Sequence, residues 1–132
     1  MISQRDLRSE GTRRAWNAAH MRFHLANLEN PDNIDETARR AVQEAGLLFI
    51  DGGDKALEAA IYAKFLGLGS GVLVHDVNYD AGMGSTIPET GDETRKFEAI
   101  LRPLGFEMVF KAEAKTFNSC ARYWERVTLP AK

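Results

Sequence analysis

The sequence has little cysteine and little net charge, and both shortages narrow the classes of function open to it. Its one cysteine, Cys120, excludes an internal disulfide framework and any zinc site built from several cysteines. The formal charge is -2, with 17 basic and 19 acidic side chains, so bulk charge does not favour nucleic-acid binding. No apolar run approaches the roughly 20 residues of a membrane-spanning helix, and the polar N-terminus has no signal-peptide core. We therefore expect a reduced, cytoplasmic protein with neither nucleic acid nor membrane as a partner.

Length and composition favour one domain spanning residues 1–132. Hydrophobic residues make up 44% of the chain and charged residues 27%, as in an ordinary globular domain. A domain of this size buries roughly two-thirds of the surface of its unfolded chain. The sequence contains no internal repeat, low-complexity tract or interdomain linker.

Hydrophobic periodicity alternates between the helical and the extended type along the chain. An apolar residue at every position of 47–50 predicts a strand covered on both faces. The expected helices run from Ser9 or Thr12 to about His20, from an Asn33 cap to about 45, from about Asp54 to Leu66, and from a Thr90 cap to about 103. The expected strands are 22–28, 47–50, 72–76, 106–112 and 116–127.

This order of elements predicts an α/β fold. Strands that alternate with helices of 10–13 residues imply right-handed crossovers and a mainly parallel, Rossmann-like sheet flanked by helices. Strands 47–50 and 72–76 should be adjacent, parallel and buried. The last two strands, joined by a short polar link, should form an antiparallel β-hairpin at one edge of the sheet.

Polar side chains follow two of these strands at the points where the strands end. Asp51 and Asp76 lie 25 residues apart, one βαβ unit, with His75 and Asn78 beside the second. Ligands of open α/β sheets bind beyond the carboxyl ends of the strands, and Mg²⁺ prefers oxygen ligands of this kind. In the alternative interpretation, each Asp caps the next helix and the nearby glycines only serve the turns.

The segments 48–55 and 71–76, with a helix between them, resemble class I S-adenosylmethionine-dependent methyltransferases, and most closely the metal-dependent O-methyltransferases. The closing helix, Leu104-Gly105-Phe106 and hairpin are similar to the ending of that fold. The resemblance implies transfer of a methyl group from S-adenosylmethionine to a hydroxyl group of a small-molecule substrate. A divalent cation, Mg²⁺ or another, would hold that hydroxyl.

The resemblance also implies roles for individual residues. Asp51 matches the first metal ligand and is a cofactor contact. Asp76 matches the acidic residue after the following strand, and Asn78 stands one position later than the family's second ligand there. Lys55 resembles the catalytic lysine that accepts the hydroxyl proton, and His75, where some relatives carry Glu, is the other catalytic candidate.

The chain departs from the family near its N-terminus. The glycine-rich cofactor loop after the family's first strand has no counterpart, because Gly11 is the only glycine before Gly46. Asp6 and Asn27 are the remaining candidates for contacts to the cofactor. The family's central first strand is also missing, so the strands at 22–28 and 47–50 would lack the partner between them.

The gap leaves three structural alternatives and two functional ones. The chain is a truncated relative, or its sheet is rearranged with 22–28 beside 47–50 and the first helix over one face, or another subunit completes it. Because unpaired strand edges are costly, we expect a homo-oligomer or a completing partner chain. If the cofactor loop is lost altogether, the chain is a non-catalytic binding or assembly module.

Overall fold

The protein has a mixed α/β fold in the computed structural model, which describes residues 1–3, 5–77, 93–114 and 119–130. The strands are β1 (Ile2–Ser3), β2 (His24–Leu25), β3 (Leu47–Ile50), β4 (Gly71–His75), β5 (Phe106–Ala114) and β6 (Ser119–Arg126). The helices are α1 (Glu10–Ala18), α2 (Glu36–Glu44), α3 (Lys55–Tyr62) and α4 (Thr94–Leu101), and short 3₁₀ turns extend α3 and α4.

Among the first three helices, α1 to α3, the cap agrees with the sequence in two. Ser9 caps α1, and Asp54 caps α3 by accepting a hydrogen bond from the Leu57 amide. The expected Asn33 cap of α2 is wrong, because Asp35 accepts from the Ala38 amide instead. The expected Thr90 cap and the loop from Tyr79 to Gly91 lie outside the described residues.

The main sheet has four strands in the order β3-β4-β6-β5. β3 and β4 are parallel neighbours, as expected, and β5 and β6 form the expected antiparallel hairpin at one edge. β6 also pairs antiparallel with β4. The sheet is therefore mixed, with one parallel pair among its three, because the hairpin's last strand takes the place beside β4.

The expectation that 47–50 is a buried strand covered on both faces is wrong. β3 is the outer strand of the sheet, and 50% of Leu47 and 55% of Phe49 remain exposed, while Ile50 is buried. A continuous apolar run does not reveal whether anything packs on its second face, and here the helices of the described ranges cover one face of β3.

The N-terminal strands form a second, small sheet. The expected strand 22–28 is reduced to β2, which pairs in parallel with β1, a strand the sequence did not predict. β2 therefore does not lie beside β3, and the internal rearrangement of the sheet is not found. The imidazole Nε2 of His24 lies 3.0 Å from the Asp35 carboxylate, which ties β2 to the start of α2.

The core lies between one face of the four-stranded sheet and helices α3 and α4. Each large apolar side chain that is fully buried contributes roughly 1.5–3 kcal/mol to the stability of the fold. Among the described residues, no helix is long and apolar enough to cross a membrane. The largest fully buried side chains are Trp124, Phe97, Phe106, Leu66, Leu101, Val72, Val74 and Val77.

Candidate metal centre

The carboxyl ends of β3 and β4 bring Asp51, His75 and Asp76 together. Asp51 directly follows β3, His75 is the last residue of β4, and Asp76 follows it. Because β3 and β4 are adjacent and parallel, their ends meet at the same edge of the sheet. The sequence thus predicted this convergence from strand order alone.

The three side chains have the spacing of a cation site. His75 Nδ1 lies 3.2 Å from Asp51 Oδ1 and 3.2 Å from Asp76 Oδ2. One donor atom from each of the three lies within 4.8 Å of the other two. In octahedral coordination with bonds of about 2.1 Å, neighbouring donors lie about 3 Å apart, so the set fits Mg²⁺ or Mn²⁺. The side chains are 51%, 38% and 20% exposed in the order Asp51, His75, Asp76, which leaves a path from solvent.

Lys55 supports the backbone of this cluster. Its ammonium donates to the carbonyl of His75 at 2.6 Å and to that of Asp76 at 3.1 Å. Asp76 has a left-handed backbone with φ of 53°, and its amide donates to the Cys120 carbonyl at 2.6 Å. These hydrogen bonds stabilise the unfavourable left-handed conformation of Asp76, which places its carboxylate close to His75. In this geometry Lys55 positions the candidate ligands rather than pointing at a substrate.

A cavity of about 590 Å³ opens beside the cluster, within the size range of small-molecule sites. Asp51 reaches both the cavity and the candidate cation site. The small side chains of α2 that face the cavity, such as Ala41 and Ala45, leave room for a ligand. The cavity is bounded by Met1, β1, Arg5, Leu7, Leu28, the inner side of α2 with Ala45, the whole of β3, Asp51, Gly52, Gly53, Glu58 and Tyr62.

Glu58 is the most perturbed acid lining this cavity. Burial, followed by repulsion from Glu29 and Asp54, raises the pKa of Glu58 to about 7, and Lys55 offsets this only in part. Glu29 stays close because its carboxylate accepts from the Asp54 amide at 2.9 Å. A carboxyl with a pKa near neutrality, beside a ligand-sized cavity, is suited to accept and return a proton.

The sequence did not single out Glu58. A glutamate in the first turns of an amphipathic helix normally faces water. The sequence marks Glu58 only by its position next to the apolar Leu57 in α3. In the structure, this side of α3 turns toward the cavity.

The expected cofactor contacts other than Asp51 have partners elsewhere. Asp6 binds the guanidinium groups of Arg8 and Arg13, and the hydrogen bond from Arg8 chiefly lowers the pKa of Asp6 to about 2. The Asn27 side chain accepts from the Glu29 amide at 3.1 Å. Neither Asp6 nor Asn27 lines the cavity, so of the three expected cofactor contacts the structure places Asp51 at the site and the other two away from it. Asn78, the expected alternative metal ligand, lies outside the described residues.

A scan against protein-family models finds no match to this chain, and a search of curated proteins finds none either.

Proposed function

We propose that the protein binds a divalent cation through Asp51, His75 and Asp76 and uses it to hold a hydroxyl group of a small-molecule substrate. The observation that carries this proposal is the convergence of three donor side chains beside a cavity, with His75 Nδ1 at 3.2 Å from a carboxylate oxygen of Asp51 and of Asp76. A metal-bound hydroxyl loses its proton more readily, which makes its oxygen a better nucleophile.

The proposed reaction is O-methylation, which follows from the resemblance to metal-dependent O-methyltransferases. S-Adenosylmethionine would supply the methyl group. Two of its expected contacts bind other groups, Asp6 the guanidinium groups of Arg8 and Arg13 and Asn27 the Glu29 amide. The part assigned to this chain is to bind, orient and deprotonate the acceptor.

Two residues are candidates for accepting the hydroxyl proton. Lys55 already donates to the carbonyls of His75 and Asp76, and to accept a proton it would have to leave one of them. Glu58 lines the cavity, and the pKa of its carboxyl is raised to about 7. We therefore assign the proton to Glu58 and a positioning role to Lys55.

The proposal also includes the completion of the sheet and the cellular compartment. A Rossmann-like, mainly parallel sheet would require further strands along the open edge of β3, supplied by a homo-oligomer or a completing partner chain. A cytoplasmic setting agrees with a chain whose one cysteine, Cys120, is buried.

The second candidate function is a non-catalytic binding or assembly module. It is favoured by one observation, the engagement of Asp6 by Arg8 and Arg13. In that case the cluster at the ends of β3 and β4 would bind a cation for structural purposes only.

Isothermal titration calorimetry with Mg²⁺ and with Mn²⁺ tests the cation site. Wild type should give a binding heat that Asp76→Asn loses, since the variant keeps the shape of the side chain and asparagine tolerates a left-handed backbone. Asp32→Asn, which removes an exposed carboxylate at a distant turn, is the matched control and should behave as wild type. Equal heats for wild type and Asp76→Asn would contradict the proposal.

Titration of the cation-loaded protein with S-adenosylmethionine then separates the two functions. A binding heat supports the methyltransferase assignment. Cation binding without any heat from S-adenosylmethionine supports the non-catalytic module.

A further inference from the structure

One face of the four-stranded sheet carries an uncovered apolar row. The register places Phe49 beside Leu73, Leu73 beside Tyr123, and Tyr123 beside Phe110. Because side chains alternate along a strand, this face is opposite to the one that α3 and α4 cover. Phe49 is 55% exposed and Phe110 is 48% exposed, so both ends of the row are open to solvent.

Gly71 leaves room for the Tyr123 ring to lie against the sheet. A Cβ atom at Gly71 would collide with the ring of Tyr123, so the ring lies across the glycine against the sheet. The Tyr123 ring also stacks on Phe110 with a centroid separation of 5.2 Å. The result is an aromatic platform, which we define as Phe49, Leu73, Tyr123 and Phe110.

Acidic side chains border the aromatic platform. Glu107 and Glu125 are cross-strand partners on the same face, next to Gly71, and Asp51 follows β3 at the other side. Two copies stacked platform to platform would therefore bring carboxylates together. An occupant of this face needs a surface that is slim enough to reach the platform and carries positive charge.

Helix α1 has those properties on the side away from Trp16, whose ring contacts Phe23 and Arg8. None of its residues is buried. Gly11, Ala15 and Ala18 are exposed and lie on one side of the helix at the spacing i, i+4, i+7, where small side chains permit close approach. Arg14, also exposed, flanks this side.

We propose that α1 of a second copy docks on the aromatic platform, with its small-residue side against the rings and Arg14 against Glu107 and Glu125. The exchange is reciprocal, which closes a two-fold dimer and covers both platforms at once. The apolar surface buried on the platform supplies affinity, and the charge pairs fix the orientation of the helix. This inference goes beyond the proposed cation chemistry, which uses the strand ends, and the two share only Phe49, which belongs to the platform and also lines the cavity.

Light scattering on the full-length chain, over a range of micromolar concentrations, tests the dimer. Wild type should have twice the mass of the 14.7 kDa chain. Arg14→Glu and Phe110→Glu should each raise the dimer dissociation constant by about tenfold or more. The double variant Arg14→Glu/Glu107→Arg should recover part of the lost affinity, because one of the two charge pairs is regenerated with its signs reversed.

Arg95→Glu is the matched control, since Arg95 is an exposed arginine near the start of α4 and should leave the dimer unchanged. Far-ultraviolet circular dichroism checks that each variant is folded. A wild-type mass near 14.7 kDa at every concentration would overturn the inference. A dimer that neither Arg14→Glu nor Phe110→Glu weakens would overturn it as well, because it would form through another surface.

Discussion

At the scale of single residues, Glu58 connects the cavity to the stability of the fold. The pKa of its carboxyl is raised from 4.5 to about 7, chiefly by burial. Between these two pH values the folded state retains a proton that the unfolded state has already lost. The free energy of unfolding therefore falls as the pH rises through this window, because the folded protein must then hold a desolvated charge near Glu29 and Asp54.

Glu58→Gln should remove this loss of stability. At pH 8 the variant should be more stable than wild type by about 1–3 kcal/mol, and near pH 4.5 the difference should vanish. Urea unfolding curves at several pH values measure it, with the exposed Glu44→Gln as a control that should match wild type throughout. A constant difference between Glu58→Gln and wild type over this pH range would contradict the account of Glu58.

The sequence identified the acids at the strand ends but not the environment of each side chain. Asp51, His75 and Asp76 could be predicted because strand order alone brings the ends of β3 and β4 together. The raised pKa of Glu58 could not, because it depends on how α3 is rotated and on the approach of Glu29 from 29 residues away in the chain. The bonds from Lys55 to two backbone carbonyls likewise depend on the left-handed turn at Asp76.

At the scale of elements, Gly105 fixes the passage from α4 into β5. Its φ of 91° is in the left-handed region, and its carbonyl accepts hydrogen bonds from the amides of Val127 and Thr128. A Cβ atom at Gly105 would collide with the backbone carbonyl of Thr128. The glycine thus lets the end of α4 pack directly on the chain that leaves β6.

Gly105→Ala should lower the free energy of unfolding by roughly 2–4 kcal/mol, through backbone strain together with this collision. Gly67→Ala is the matched control, because its Cβ would meet only the Ser70 hydroxyl at 4.0 Å, and it should change stability by less than about 1 kcal/mol. Chemical denaturation of both variants provides the comparison. Similar losses at the two positions would show that the contact at Gly105 is not what limits substitution.

Elements with a strong internal pattern could be predicted, and those that depend on distant partners could not. The periodicity of α3 and the Gly105 stop after α4 are local properties, so their positions agree with the structure to within a few residues. β1 has only two residues and forms because β2 lies beside it. The exposed edge of β3 is also a tertiary property, since the same four apolar residues suit a central strand equally well.

At the scale of the whole molecule, β3 and β5 are the two edge strands of the four-stranded sheet among the described residues. α2, α3 and α4 contribute buried residues to the core on one face of the sheet, and the cavity runs along β3. The candidate metal centre and the cavity lie at the β3 side of the sheet, and the aromatic platform lies on the opposite face. The proposed chemistry and the proposed dimer therefore use the parts of the sheet that the chain's own core leaves accessible.

The central claim is that Asp51, His75 and Asp76 bind a divalent cation, and paramagnetic broadening by Mn²⁺ in ¹⁵N-labelled protein tests it most directly. The amide signals of these three residues should broaden first, at Mn²⁺ concentrations well below that of the protein. The signals of Asp32 and Glu44, which are exposed acids away from the strand ends, should remain sharp. Broadening that spreads evenly over the exposed acids, or that is unchanged in Asp76→Asn, would contradict the claim.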